Sequence, residues 1–346
     1  MGQFDPDHWQ WPDTAAARRS REAAGGGASS ARGATLHAEQ IDDPAHQAQL
    51  QPWVEMECYQ LGHGRHVVEM QSLNLGSQII MRERQGATIQ KLGRAPADFC
   101  TLSVSSGGPG MRFSDRSSED SDTVFFMPGN MEFDVHVPAG IETTYVGFSQ
   151  DDFLRGVRAL NPALWEHPPQ EVVPLATSTP RAFRALIDVW LDAARDARHR
   201  GEVLDRAVMR SQLLHSVLQI AADTREAPGP SHAERRRALQ IGRAARDFVE
   251  SHLTADTLPT VVDICTALGV SERTLQYAFR EYIGLSPIAY LRAWRLNRVR
   301  AELAAADPLS TTITQVAMRF GFVHLGRFAG DYKRMFGVTP SETLNA

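Results

Sequence analysis

Val261-Val262-Asp263-Ile264-Cys265-Thr266-Ala267-Leu268-Gly269-Val270-Ser271-Glu272-Arg273-Thr274-Leu275-Gln276-Tyr277-Ala278-Phe279-Arg280 is the stretch on which the reading of this chain turns. Val261, Ile264, Cys265 and Leu268 recur at helical spacing, so one face of a short helix is buried. Gly269 follows the last of them, where a left-handed C-terminal turn favours glycine. Ser271 then stands as the N-cap of a second helix, with Thr274 three positions on. In that helix Leu275, Ala278 and Phe279 face the core, which leaves Glu272, Arg273, Gln276, Tyr277 and Arg280 outward. An exposed Arg and Gln suit major-groove base edges, since Arg pairs with guanine and Gln with adenine. Arg273 and Gln276 are therefore the expected base readers.

About fifty residues later the pattern returns. Ile313, Val316, Ala317 and Phe320 form the apolar stripe of a supporting helix, and Gly321 makes the turn. Leu325, Phe328 and Tyr332 bury the helix that follows, leaving His324, Gly326, Arg327, Gly330 and Asp331 outward. Arg319, Lys333 and Arg334 are expected to touch phosphates, contacts that position a protein on DNA without reading its sequence. A plain bundle of helical hairpins with solvated charges would need both turns, both caps and both basic faces to coincide by chance.

At these residues, over about 234–342, the chain resembles the AraC/XylS family of bacterial transcriptional regulators. The run from Gly321-Phe322 through Phe336-Gly337-Val338-Thr339-Pro340-Ser341 looks like that family's signature. Ser286-Pro287 and the Arg-rich helix Leu291–Leu303 look like its long connecting helix. The resemblance implies two recognition helices in successive major grooves on one face of double-stranded DNA. It places Arg273, Gln276 and Tyr277 at the base-contacting positions of the first unit, and His324, Leu325 and Arg327 at those of the second. Gly330 and Asp331 depart from the pattern, because members often carry a basic residue there. The first helix is thus expected to be the main source of specificity.

At 346 residues the chain exceeds what one core usually serves, so two domains are expected. Its net charge of −5 hides an asymmetry. Residues 230–346 carry 15 basic and 11 acidic side chains, giving +4, while the remainder carries 21 and 30, giving −9. The basic end suits DNA, and the acidic end suits a cationic small molecule or solubility. Cys58, Cys100 and Cys265 are scattered, with no paired metal spacing, so a reducing cytoplasm is expected. Neither a run of membrane-spanning length nor a signal-peptide pattern is read, and no membrane partner is expected.

Residues 1–35, which include Gly25-Gly26-Gly27-Ala28-Ser29-Ser30, are low in large apolar groups and are expected to form a disordered tail. From about Leu36 the pattern becomes short strands: Val54–Tyr59, His66–Leu75, Gln78–Glu83, Phe99–Val104, Thr123–Met127, Met131–Val137 and Tyr145–Phe148. Glycine and proline punctuation separates them, as at Pro128-Gly129-Asn130, which suggests a sandwich or small barrel. Joined to the C-terminal resemblance, this half looks like the family's cupin-type effector barrel, and most resembles its amine- and amino-acid-responsive branch. Cupin enzymes cluster histidines with a carboxylate; here His63 and His66 are close in sequence but His136 stands alone, so no metal is expected. With no catalytic or dinucleotide motif either, neither enzyme activity nor any cofactor is expected.

Alternation puts Ile79, Met81 and Glu83 on one strand face and Ile80, Arg82 and Arg84 on the other. If the first face looks inward, Glu83 is a carboxylate at the end of an apolar lining; a solvated surface charge is the ordinary use of such a residue. Phe133 and Val135 share an inward face, so Glu132 and Asp134 are expected to meet water. Phe99, Phe113, Phe125, Phe126, Phe133 and Tyr145 could line a cavity or fill a core. The candidate ligand contacts are Glu83, Met81, Phe99, Phe125, Phe133 and Tyr145.

Helical periodicity returns over 151–223. Phe183, Leu186, Ile187, Trp190 and Leu191 mark one helix, starting after Thr179-Pro180. Val203, Leu204, Ala207, Val208, Leu214, Val217, Leu218 and Ala221 mark the next. These stripes either pack on the barrel or pair with a second copy, and the resemblance favours a homodimer. Residues 224–233, around Pro228-Gly229-Pro230, are expected to be a linker.

The fold expected is therefore α+β: a cupin-like β-barrel over 36–150, a helical dimerisation segment over 151–223, and an all-α domain with two helix-turn-helix units over 234–346. The function expected is a cytoplasmic, ligand-responsive regulator that binds a promoter operator and senses a small amine or amino-acid-like effector. As an activator it would also meet RNA polymerase. The alternatives are a cupin-fold metal enzyme with a DNA-binding tail and an effector-independent DNA-binding protein.

Overall fold

The computed structural model describes residues 34–66, 68–106, 110–117, 124–177, 180–226, 232–253 and 259–346. The tail expected over 1–35 lies outside them except for its last two residues, and Thr35 already opens a strand. Pro228-Gly229-Pro230 also lies outside.

The N-terminal half runs β1 (Thr35–Ile41), α1 (Pro44–Gln49), β2 (Glu55–Gln60), β3 (Val68–Asn74), β4 (Ile79–Gln85), β5 (Ile89–Arg94), β6 (Phe99–Ser106), β7 (Arg112–Phe113), β8 (Arg116–Ser117), β9 (Val124–Met127), β10 (Glu132–Val137) and β11 (Glu142–Ser149). Two antiparallel sheets result. One has eight strands in the order β1-β3-β4-β11-β6-β9-β12-β13, the other five in the order β2-β5-β10-β7-β8. The added strands are β12 (Val173–Thr177) and β13 (Thr224–Glu226), which pair with each other at the end of the large sheet. Every strand expected from alternation is present, with ends moved by up to three residues. Ile89–Arg94 was not expected, because all of Ile89, Gln90, Lys91 and Leu92 are buried and no alternation survives.

Ile89, Phe113, Phe125, Met127, Phe133, Val135 and Val137 form the core between the sheets. The outer face of the large sheet is buried too, under α2 (Gln150–Leu160), α3 (Pro162–Trp165), α4 (Pro180–Arg200) and α5 (Arg206–Ala222). Leu73, Ile80, Leu102, Phe126 and Phe148 meet Phe153, Trp165, Phe183, Ile187, Leu213 and Val217 there. The Trp165 ring stands edge-on to Phe126 at 5.0 Å between centroids. Burial of both faces explains why β4 carries isoleucine at both parities.

The helices of the expected dimerisation segment thus bury their inner faces on the sheet of their own chain. Ile187, Leu191, Leu213, Val217 and Ala221 are spent on the sheet, and the methyls of Leu218 sit where a Cβ on Gly156 of α2 would lie. Fully burying one leucine contributes about 1.5–3 kcal/mol, and the sheet face supplied that surface within one chain. The linker is corrected in part: Thr224–Glu226 is a strand, and the next helix starts at His232.

The C-terminal half is helical: α6 (His232–Leu253), α7 (Val261–Leu268), α8 (Glu272–Ile283), α9 (Pro287–Ala305), α10 (Ile313–Arg319), α11 (Leu325–Phe336) and α12 (Pro340–Leu344). Caps set the boundaries. Thr260 with Asp263 and Thr312 with Gln315 form capping boxes, and Gly269 ends α7 at φ 63°. Ser271 accepts from the Thr274 amide at 3.1 Å to start α8. One core joins the half, including Ile264, Leu275, Phe279, Tyr290, Trp294, Val316, Phe328, Tyr332 and Phe336.

That core also takes in Tyr59, Leu61 and Leu92, so the outer face of the small sheet packs on α9 and its neighbours. Asn297 of α9 donates to the Gln60 carbonyl at 2.8 Å and accepts from the Gln60 amide at 2.9 Å. Its side-chain amide thus satisfies the free edge of β2 as a further strand would. Asp134, expected to meet water, is fully buried between Arg112 at 2.9 Å and the Gln90 amide at 2.9 Å. The C-terminal domain covers it; Arg112 also donates to the Tyr282 carbonyl at 2.6 Å.

Candidate nucleic-acid interface and ligand cavity

α7 and α8 make the first helix-turn-helix unit, and α10 and α11 the second, with α9 between them and α12 closing the bundle. In α8, Leu275, Ala278, Phe279, Tyr282 and Ile283 are buried, while Arg273, Gln276, Tyr277 and Arg280 are exposed. Gln276 donates to Glu272 one turn back at 3.1 Å, and Tyr277 is 57% exposed, unusual for a ring of that size. In α11, Phe328, Tyr332, Met335 and Phe336 are buried, and His324, Arg327, Lys333 and Arg334 are exposed. Arg273, Arg280 and Arg327 join none of the ion pairs among the described residues, so their charges are free to meet an anion.

Leu325 is half-buried against the core, as its place in the apolar stripe implies. Arg319 faces outward and pairs with Glu302 at 2.9 Å. Asp331 is largely buried rather than outward, bridging Arg292 of α9 and Arg334, the latter at 3.0 Å. An acid inside the second reader helix thus consumes part of its positive charge. Arg292 was missed by sequence reasoning. Desolvation lowers its guanidinium pKa, and so does the proximity of Arg327 and Arg334, which places all three in one basic cluster. The available signal was the spacing of Arg292 and Arg295 along the connecting helix.

Between the two sheets lies a cavity of about 70 Å³, room for several water-sized groups. Met56, Phe99, Met111, Phe113, Met127, Phe133, Val135 and Val137 line its apolar part, and Gln51, Glu83, Lys91, Thr101, Thr143 and Tyr145 its polar part. Of the candidate contacts, Glu83, Phe99, Phe133 and Tyr145 stand at this cavity. Met81 does not; it packs with Ile41, Val68 and Met70 in a separate cluster. Phe125 is also off the wall, fully buried with its ring 5.9 Å from that of Phe113.

Glu83 is inward, and it is already matched. Lys91 forms a buried ion pair with one carboxylate oxygen, and the side-chain amides of Gln47 and Gln51 each donate to the other at 2.8 Å. Tyr145 donates to Gln51 at 2.9 Å and accepts from the Trp53 indole at 2.8 Å. Lys91 escaped sequence reasoning because β5 shows no alternation. His66 lies next to this network, its Nε2 3.1 Å from the Gln47 side-chain oxygen. Burial, with Arg300 nearby, lowers its pKa to about 4. Among the described residues no three His, Cys, Asp or Glu side chains gather as a metal site would need.

Residues 264–346 match the model of a helix-turn-helix domain. Over 104 residues the chain is 44% identical to the "Probable thc operon regulatory protein" of Rhodococcus erythropolis, covering 30% of this chain and 31% of that protein. The C-terminal domain is a helix-turn-helix domain. The XylDLEGF operon transcriptional activator 2 of Pseudomonas putida is 42% identical over 76 residues, which is 22% of this chain and 48% of the relative. The chain thus spans about a third to a half of the length of these relatives. Among solved structures, the AraC-like transcriptional activator CuxR aligns over 78% of this chain and 96% of its own at 14% identity, with a TM-score of 0.39. ToxT from Vibrio cholerae aligns over 90% and 97% at 11% identity, with a TM-score of 0.28. No described helix is long and apolar enough to cross a membrane.

Proposed function

We propose that this chain is a ligand-responsive, sequence-specific DNA-binding transcription regulator that reads double-stranded operator DNA through α8 and α11. The observation that carries this reading is the pair of helices whose apolar faces are buried in one core while Arg273, Gln276, Tyr277 and Arg327 stay exposed. Arg280, Arg292 and Lys333 add the phosphate contacts that supply most of the affinity. The relatives' names as operon regulators and activators support the same class; as an activator the chain would also meet RNA polymerase. Selecting duplexes from a random library with the full chain tests it. Enrichment of one sequence supports the reading, and binding with no sequence preference overturns it.

The cavity is the proposed effector site. A simple amine would add a second cation to a carboxylate already paired with Lys91, whereas an amino-acid-like molecule brings both charges. Its ammonium would take Glu83, its carboxylate Lys91, and its carbon chain the Phe and Met walls, with a cation–π contribution of about 1 kcal/mol. Calorimetry with matched series of primary amines, carboxylic acids and amino acids distinguishes these. Binding of the acids alone, or amino-acid binding untouched by Glu83→Gln, rules out this chemistry.

A homodimer in the cytoplasm completes the proposal. Since the stripes of α4 and α5 are mostly spent on the sheet, association would use outward residues such as Val189, Val203 and Val208, all more than half exposed. Sedimentation of the wild-type chain as a monomer would remove this part.

A further inference from the structure

One small helix joins the charged end of the cavity to the second reader helix. α1 is six residues long, and only Pro44 and Gln47 within it are buried. Polar contacts rather than an apolar face therefore hold it in place. On its inner side, Gln47 and the following Gln51 both donate to the same oxygen of Glu83, which lines the cavity. At its start Asp43 is the N-cap, accepting from the Ala45 amide at 2.7 Å.

Arg300 of α9 grips that start. Its guanidinium lies 3.5 Å from Asp43 and donates to the Asp42 carbonyl at 3.1 Å. The same guanidinium lies over the ring of Phe336, 4.9 Å from its centroid. Phe336 is the last residue of α11. The loop after β2 touches the same turn, where the Gly64 amide donates to the Arg334 carbonyl at 3.1 Å.

We propose that α1 and Arg300 transmit occupancy of the cavity to the C-terminal end of α11. The proposal rests on the reading of the cavity as an effector site. A ligand that engages Glu83 or Lys91 competes with the amides of Gln47 and Gln51, and α1 has little apolar anchorage to resist a shift. Its displacement moves Asp43 and Asp42 away from Arg300, which frees the guanidinium and the Phe336 ring beneath it. The domain contacts through Asn297 and through Arg112, Asp134 and Gln90 lie on the far side of the small sheet from the cavity, and they hold the domains together without facing a ligand.

Hydrogen–deuterium exchange on the full chain, with neither DNA nor effector present, tests the linkage. Gln47→Leu removes one of the two amide donors to Glu83 without changing any charge. It should raise exchange at the Met335, Phe336 and Gly337 amides by about threefold or more. In an Arg300→Gln background the same change should add nothing further, whereas in an Asn297→Ala background it should add its full factor. If Gln47→Leu fails to fold, Gln51→Leu and Tyr145→Phe perturb the same network more mildly. Unchanged exchange at Met335–Gly337, or the same increment with and without Arg300, overturns the proposal. A chain that shows the coupling but reads no DNA would instead overturn the proposed function alone.

Discussion

Arg273 and Gln276 differ from Arg334 in what their removal should do. The first two project from the N-terminal half of α8, whose other face is locked in the core, so each should discriminate a base. Arg273→Ala or Gln276→Ala should cost about 1–3 kcal/mol at a selected operator and relax preference at one position. Arg334→Ala should weaken binding to all duplexes alike, because its charge lies at the far end of α11 and is shared with Asp331. Competition binding against single-base variants of the selected site separates the two outcomes. His66 offers a test of burial. Desolvation, reinforced by Arg300, holds it neutral down to about pH 4 in the fold, while the unfolded chain takes up the proton near 6.5. The folded state therefore binds fewer protons in that window, and stability should fall as pH drops from 6.5 towards 4, by up to about 3 kcal/mol. Urea melts of wild type and His66→Gln should show this loss only in the wild type.

At the scale of elements, α11 contains two glycines on its exposed face, and a Cβ at Gly326 or Gly330 would meet nothing in the protein. Glycine inside a helix costs about 0.5–1 kcal/mol relative to alanine. Gly326→Ala and Gly330→Ala should each raise the melting temperature; a fall would mean that the second reader helix is held differently. In α5 the expectation runs the other way. Leu218→Asp would put a charge against α2 at Gly156, costing more than about 2 kcal/mol. Denaturant titration should show a destabilised chain rather than a stable monomer released from a dimer.

For the whole molecule, the proposed DNA binding should depend on the basic charge of the C-terminal half. If six of the C-terminal cations neutralise phosphates, log K should fall with log salt at a slope of about −5, and Lys333→Ala should reduce that slope by about 1. A slope near zero would mean that the basic cluster does not face DNA. The acidic N-terminal half is docked close by, and its residues 60–65 meet Asn297 of α9 and the C-terminal turn of α11. The faces carrying Arg273, Gln276 and Arg327 remain open.

The C-terminal domain was legible in the sequence because its information is local. Helical spacing, Ser271, Gly269 and Gly321 specify caps and turns within a few residues of themselves, and the helices obey them. Most strands of the first half were legible for the same reason. What escaped depended on partners distant in sequence. Asp134 reads as a surface acid until Arg112, Gln90 and the C-terminal domain close over it, and Lys91 carries no reading until it meets Glu83 between the sheets. The stripes of α4 and α5 could not reveal whether a second chain or the sheet of their own chain would bury them, since burial of apolar area has no direction. That choice, and the contacts of Arg300 with both Asp43 and Phe336, were made by tertiary packing.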